Sequence, residues 1–181
     1  MTPEFLHPPV RTDSPIRLAE HDPHWAAQYT QQEERIRTAL GPRAVQVEHV
    51  GSTSVPGLAA KPAIDIVLVV TDSADEGGYV PDLEAAGYQF QFREPEWYEH
   101  RFLRDQDPAV QIHVFSVGSP EVERMLLFRD RLRSQADEHE LYQRTKRELA
   151  ARQWAYVQDY AEAKSAVVEG IIARAEADRR P

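Results

Sequence analysis

The order of elements in this 181-residue chain predicts an α+β domain, with a mixed β-sheet first and a helical section after it. Three observations carry that expectation. Apolar runs of strand length recur between Ala44 and Ser116. One of them, "AIDIVLVV" from Ala63 to Val70, is apolar almost throughout, as a strand buried on both faces is. From Ser119 onward the apolar spacing becomes helical.

The elements follow in order. "MTPEFLHPPVRTDSP" carries three prolines before Ser14 and no apolar h-region, so residues 1–15 read as a flexible arm and not a signal peptide. Asp22 to Leu40 reads as a helix, with Asp22 as cap, Pro23 at the first helical position and Gly41-Pro42 as the stop. Ala44 to Val50 is a strand that sets Val45, Val47 and His49 on one face, and Ala63 to Val70 is the next strand. After the loop "TDSADEGG", Val80 to Ala86 is a short helix ended by Gly87. Tyr88 to Arg93, Arg101 to Asp105 and Val110 to Ser116 are three further strands, with "DQDP" as the turn between the last two. Ser119 as N-cap, Pro120 at N1 and Glu121 near the positive dipole end start the helical section. Helices are expected over 120–133, 137–150 and 153–177, the last with Val157, Ala161, Val168 and Ile172 on one stripe. The whole reads as one domain over 16–178, its sheet portion about 44–117 and its helical portion about 119–178.

Composition removes several function classes. No apolar run approaches the roughly 18 residues a membrane helix needs, so no membrane partner is expected. The absence of cysteine removes disulfides, thiolate metal sites and cysteine nucleophiles, and suits a cytoplasmic location. A net charge of −9 repels a polyanion over most of the surface, which argues against nucleic-acid binding. A local basic pocket for a small phosphate ligand remains open. The chain has no G-x-x-x-x-G-K-[ST], no H-E-x-x-H, no G-x-S-x-G and no G-x-G-x-x-G.

The residues that stand out are few. Asp65 is a lone carboxylate in an apolar strand, so it must be paired, metal-bound or protonated. A purely structural carboxylate, bonded to backbone N–H groups or to one basic residue, is the alternative. Gly51-Ser52 allows a tight turn with a hydroxyl and an N–H that hold a phosphate oxygen; elsewhere such a dipeptide is a plain turn. Lys61, four residues before Asp65, can neutralise phosphate charge or remain a solvated loop lysine. His113 shares a strand face with Gln111 and Phe115, as a metal ligand, a general base or a hydrogen-bonded structural histidine. Arg101, Arg104, Arg129, Arg131, Arg133, Lys146 and Lys164 form a looser basic set, from which one or two reach back to the sheet.

A strand, then Gly-Ser, then about a dozen residues and a strand with an acidic residue resembles the opening of the nucleotidyltransferase superfamily's site. More specifically, "EHVGSTSVPGLAAKPAIDI", "HVFSVGSPEVERMLLFRDRLR" and "LYQRTKRELA" resemble the GrpB family (UPF0157), over about Ile16 to Ile172. The resemblance implies a nucleotidyltransferase-like fold, in some proteins fused to dephospho-CoA kinase, without a settled activity. It implies that Gly51 and Ser52 match the Gly-Ser turn and Asp65 the first carboxylate of a "D-h-[DE]" motif, whose second position is Val67 here. His113 stands nearest the third carboxylate's slot. The implied cofactor is a divalent metal, Mg²⁺ or Mn²⁺, or Zn²⁺ if a His-containing set of Asp65, His113 and Glu48 or His49 holds it. The implied roles are Asp65 and His113 in catalysis, and Gly51, Ser52, Lys61, Arg101, Lys146 and Lys164 on the phosphates of a nucleotide or other phosphorylated small molecule. Tyr142 and Tyr160 accompany those lysines. Two functions stay open: nucleotidyl transfer from a nucleoside triphosphate to a small molecule, or a non-catalytic or divergent phosphate-ligand domain linked to coenzyme A metabolism. The oligomeric state is open.

Overall fold

The computed structural model describes residues 3–8 and 16–179. Its elements are β1 (Glu4–Phe5), α1 (His24–Leu40), β2 (Gln46–Val50), β3 (Ile64–Val70), α2 (Val80–Ala85), β4 (Gln89–Glu94), β5 (His100–Gln106) and β6 (Ala109–Ser116). Then come α3 (Pro120–Ser134), α4 (Ala136–Ala150), α5 (Val157–Glu162) and α6 (Ser165–Arg179). The strands form one sheet in the order β1-β4-β5-β6-β3-β2. Among the described residues the β3–β6 pair is parallel and the other four pairs are antiparallel, so the sheet is mixed as expected. β3 lies between β6 and β2, and this interior position explains its apolar composition.

The two faces of the sheet are covered differently. Ile64, Ile66, Leu68 and Val70 of β3, Ile112 and Val114 of β6 and Leu103 of β5 pack beneath α1 and α2, where Trp25, Ile36, Leu40 and Leu83 are buried. On the other face Val67, Val69, Val50 and Phe115 pack under Val122, Met125 and Leu126 of α3. The helices then join each other and the β2–β3 connection: Val55 and Leu58 meet Leu132, Tyr142 and Ile171.

Three local expectations change. Glu4 and Phe5 pair with Arg93 and Phe92, and the Phe5 and Phe92 rings lie 5.5 Å apart, so part of the N-terminal arm closes the β4 edge. Residues 1–2 and 9–15 of that arm lie outside the described residues. The regular hydrogen-bonded part of α1 runs from His24, but Pro23 already has helical angles (φ −62°, ψ −17°) and Asp22 Oδ1 accepts the His24 N–H at 2.9 Å, the capping bond expected of it. Ser119 does precede Pro120, but its buried hydroxyl makes no capping bond among the described residues. The long terminal helix is two helices. Asp159 accepts the Tyr156 N–H at 3.0 Å and starts α5 later than expected. Ala163 and Lys164 then interrupt the helix, and the Lys164 ammonium sits 4.6 Å from the centre of the Tyr160 ring. The buried stripe becomes Ile171, Ile172 and Ala175, with Val168 partly buried and Ala161 exposed. No helix among the described residues is long and apolar enough to cross a membrane.

Candidate functional site

The site begins where β2 ends. Val50 pairs with Asp65 across the antiparallel ladder, and the chain turns at once at Gly51, whose φ of +68° lies in the left-handed region. A Cβ there would stand 2.8 Å from Asp65 Cγ and closer still to Oδ2. Glycine is therefore required twice, by its backbone angle and by the carboxylate packed against it. Ser54 Oγ donates to the Gly51 carbonyl at 2.6 Å and tightens the turn, while the Ser52 hydroxyl bonds the Tyr142 phenol.

Asp65 is partly exposed and makes no direct hydrogen bond or ion pair among the described residues. Loss of water around it pushes its pKa up to about 6, against the pull of Lys164, Lys61 and Lys146. Three lysines from three segments thus surround one carboxylate. Lys146 is 2% exposed and donates to the Ala59 carbonyl; burial lowers its pKa to about 7, Lys164 pushes the same way and Asp65 opposes. Burial also lowers Lys164, against Tyr160 and Asp65. Lys61 is exposed as a residue, yet the protein around its ammonium lowers its pKa, with Asp65 opposing and Lys164 adding to the shift. Burial pushes the Tyr142 phenol up to about 12. Tyr160 is also buried, and its hydroxyl has no partner among the described residues.

A fourth cation shares this sheet face. Asp65 aligns with Gln111 of β6, and Gln111 aligns with Arg104 of β5. Arg104 makes no ion pair among the described residues, and its Nε is buried without a partner. Arg101 differs because strand side chains alternate. It lies on the α1–α2 side, with Nε 2.6 Å from Glu76 Oε1 and Nη1 3.0 Å from Glu99 Oε2. Arg104, not Arg101, shares the sheet face of Asp65; the expected phosphate role of Arg101 does not hold there, because only the β5–β6 register, which the sequence does not carry, separates the two arginines.

The candidate metal ligands are held apart. Glu48 faces Val67 across β2–β3, and Val67 faces His113 across β3–β6, so a buried valine separates the two. Glu48 is engaged by Arg129 at 2.8 Å. His113 Nδ1 meets His100 Nε2 at 3.1 Å. His49 points to the opposite face, where it bonds Thr53 Oγ1 at 3.0 Å and stacks on Tyr29 at 4.7 Å. Its pKa falls to about 4 through burial, with Arg133 and Arg129 adding to the effect. Among the described residues no three His, Cys, Asp or Glu side chains are grouped to hold a metal. The ammonium groups around Asp65 and the arginine on Glu48 are the reverse of what a multi-carboxylate metal centre needs, so the donor set does not fit one.

Fold and site together define an α+β domain with a lysine-ringed carboxylate between a mixed sheet and a C-terminal helical section. The chain belongs to the GrpB family, whose model, described as GrpB protein, matches residues 15–174. It is 55% identical over 162 residues to a UPF0157 protein of Halalkalibacterium halodurans, covering 90% of this chain and 83% of that one. The crystal structure of the conserved protein GrpB from Enterococcus faecalis is similar at a TM-score of 0.75 and 27% identity, over 88% of this chain and 96% of that chain. A shorter likeness, 46% over 78 residues, covers 41% of this chain and 19% of a protein of Mycolicibacterium paratuberculosis named dephospho-CoA kinase.

Proposed function

We propose that the site around Asp65 binds a phosphorylated small molecule, with nucleotides as the leading class. The observation that carries this reading is the convergence of Lys61, Lys146 and Lys164 on a single carboxylate. The local excess of positive charge sits in a chain of net charge −9. Burial depresses all three lysines, and a phosphate beside them would raise their pKa values again and so gain affinity. Ser52 and the Gly51 turn offer backbone and hydroxyl contacts, and Arg104 offers a planar, unpaired guanidinium. In this reading Arg101 serves the fold. Coenzyme A precursors belong in the same ligand class, since a relative that shares part of this sequence is named dephospho-CoA kinase.

Nucleotidyl transfer is the second reading. It is favoured by Gly51, Ser52 and Asp65 standing together as the superfamily resemblance implies. With Val67 at the second carboxylate position, no step through a metal follows from these donors.

Thermal melting against nucleotides and coenzyme A precursors tests both. Each ligand is added with Mg²⁺, Mn²⁺, Zn²⁺ or a chelator, to the wild type, Asp65→Ala and Lys164→Met. A ligand that binds only the folded state at a hundred times its Kd adds about 2.7 kcal/mol. The binding reading expects a rise that survives the chelator and is lost in Lys164→Met. A rise that needs a metal and one triphosphate, and is lost in Asp65→Ala, supports transfer. No rise with any phosphorylated ligand overturns both.

A further inference from the structure

We propose that Glu94 and His100 fix the tautomer of His113, so that His113 Nε2 is a preset hydrogen-bond acceptor on the Asp65 face of the sheet, for a hydroxyl or N–H of the molecule bound there. The ligand half of this inference rests on the reading of the Asp65 site given above; the tautomer half does not.

Proton bookkeeping carries the tautomer. Glu94 Oε2 lies 2.7 Å from His100 Nδ1. A carboxylate only accepts, so His100 Nδ1 must bear the proton. His100 is 1% exposed, and burial lowers its pKa more than Glu94 restores, which leaves the ring neutral. A neutral ring protonated on Nδ1 has a lone pair on Nε2. That lone pair faces His113 Nδ1 at 3.1 Å, so His113 Nδ1 must be the donor. The only proton on a neutral His113 is then spent, and Nε2 is left as an acceptor. His113 is neutral: burial, and after it the neighbouring His100, takes its pKa to about 3. This ring accepts hydrogen bonds but is a poor proton carrier, which replaces the role of general base expected for it.

Packing keeps the pair in register. Trp97 lies 4.7 Å from His100 edge-on, and Phe115 stacks on it at 4.9 Å. Phe102, directly across from His113, closes one side of that ring at 5.1 Å. His113 is nonetheless partly exposed, and its Nε2 takes no partner among the described residues. It shares its face with Gln111, the neighbour of Asp65. Strand geometry separates the Asp65 and His113 Cα atoms by roughly 8 Å, within the span of a nucleotide-sized ligand.

Two-bond ¹H–¹⁵N correlation spectra read imidazole tautomers directly. His113 is assigned by comparison with His113→Asn. The expected result at neutral pH is a neutral Nδ1–H ring at His113; an Nε2–H ring overturns the proposal. In Glu94→Ala, confirmed folded by its amide spectrum, His113 should become a mixture of tautomers. A ring still wholly Nδ1–H there would remove Glu94 from the relay. The nucleotide that most raises the melting temperature is then added. Movement of the His113 Nε2 resonance supports the acceptor role, and binding that leaves it unmoved refutes that role while the ligand reading of the Asp65 site stands. If no nucleotide binds, the ligand reading of the Asp65 site falls and takes the ligand half with it, whereas the tautomer half is decided by the first spectrum.

Discussion

The two faces of β3 are built from adjacent residues to opposite ends. Ile64, Ile66, Leu68 and Val70 enter a continuous apolar layer sealed by α1 and α2. Val67 and Val69 do the same under α3, but Asp65, at the end of that face, meets lysines. Period-two alternation thus gives one strand a stabilising face and a face that ends in a site. The lesson is that burial alone does not tell them apart. What does is whether the charges within reach cancel. On the sealed side Arg93 and Arg101 share Glu76. Around Asp65 on the open side three lysines face one carboxylate.

The largest expected effect tests the sealed face. Ile66 is fully buried in the middle of the sheet, and Ile66→Ala should cost about 2–5 kcal/mol in urea unfolding. A loss below about 1 kcal/mol would mean that this face is not the main core.

The next effect is electrostatic and belongs to Asp65. The folded protein holds a proton on Asp65 up to about pH 6, the unfolded chain only to 3.8. Native Asp65 therefore favours folding most below 3.8. That advantage drains away as pH rises, and it is gone above about 6. A shift of roughly two units corresponds to about 3 kcal/mol. Asparagine cannot ionise, so Asp65→Asn should gain on the wild type by that order across this window. Parallel stability curves for the two proteins would show that Asp65 is an ordinary exposed carboxylate.

The two arginines of β5 separate the faces most directly. Arg101→Met removes bonds to Glu76 and Glu99 from a side chain 6% exposed, and should cost about 1.5–3 kcal/mol by denaturant titration. No loss of stability would place Arg101 outside the structural network.

Much of this was readable beforehand, for physical reasons. A charge in an apolar strand marks Asp65, and the glycine that must lie against it marks the turn. The strands fell within a few residues of their observed limits because turn residues bound them. What was not readable needed register. Arg101 and Arg104 differ only by alternation, and the sense of that alternation is set by the pairing of β5 with β6. His100 and His113 meet only through the same pairing. The break at Ala163 and Lys164 lies in a helix-forming sequence, and part of the pull on Lys164 comes from Asp65, a distant contact that no local propensity encodes.

Gly51→Ala tests the junction between turn and carboxylate. Its added Cβ meets both the positive φ and the Asp65 side chain, and the expected loss is about 1–3 kcal/mol. Combining it with Asp65→Ala removes the contact with Cγ but keeps the one with Cβ, also at 2.8 Å. The double-mutant cycle should therefore show partial relief of at least about 0.5 kcal/mol. Full additivity would mean that the glycine serves the turn alone.

The smallest expected effect on stability discriminates most between the faces. Arg104 has no ion pair among the described residues to lose, so Arg104→Met should change the unfolding free energy by less than about 0.5 kcal/mol. Its buried, unpartnered Nε makes removal of the guanidinium neutral or mildly stabilising. If the face binds phosphate, the same substitution should weaken that ligand about tenfold or more, since a charged hydrogen bond contributes about 1.5–3 kcal/mol. Calorimetric titration of the nucleotide that stabilises the wild type, repeated on Arg104→Met and Arg101→Met, reads both quantities. Lost affinity with intact stability in the first, and lost stability with retained affinity in the second, would assign the two faces their separate tasks. The reverse pattern would transfer the site to the other side of the sheet, where Arg101 already has its carboxylates and an incoming phosphate would have to displace them.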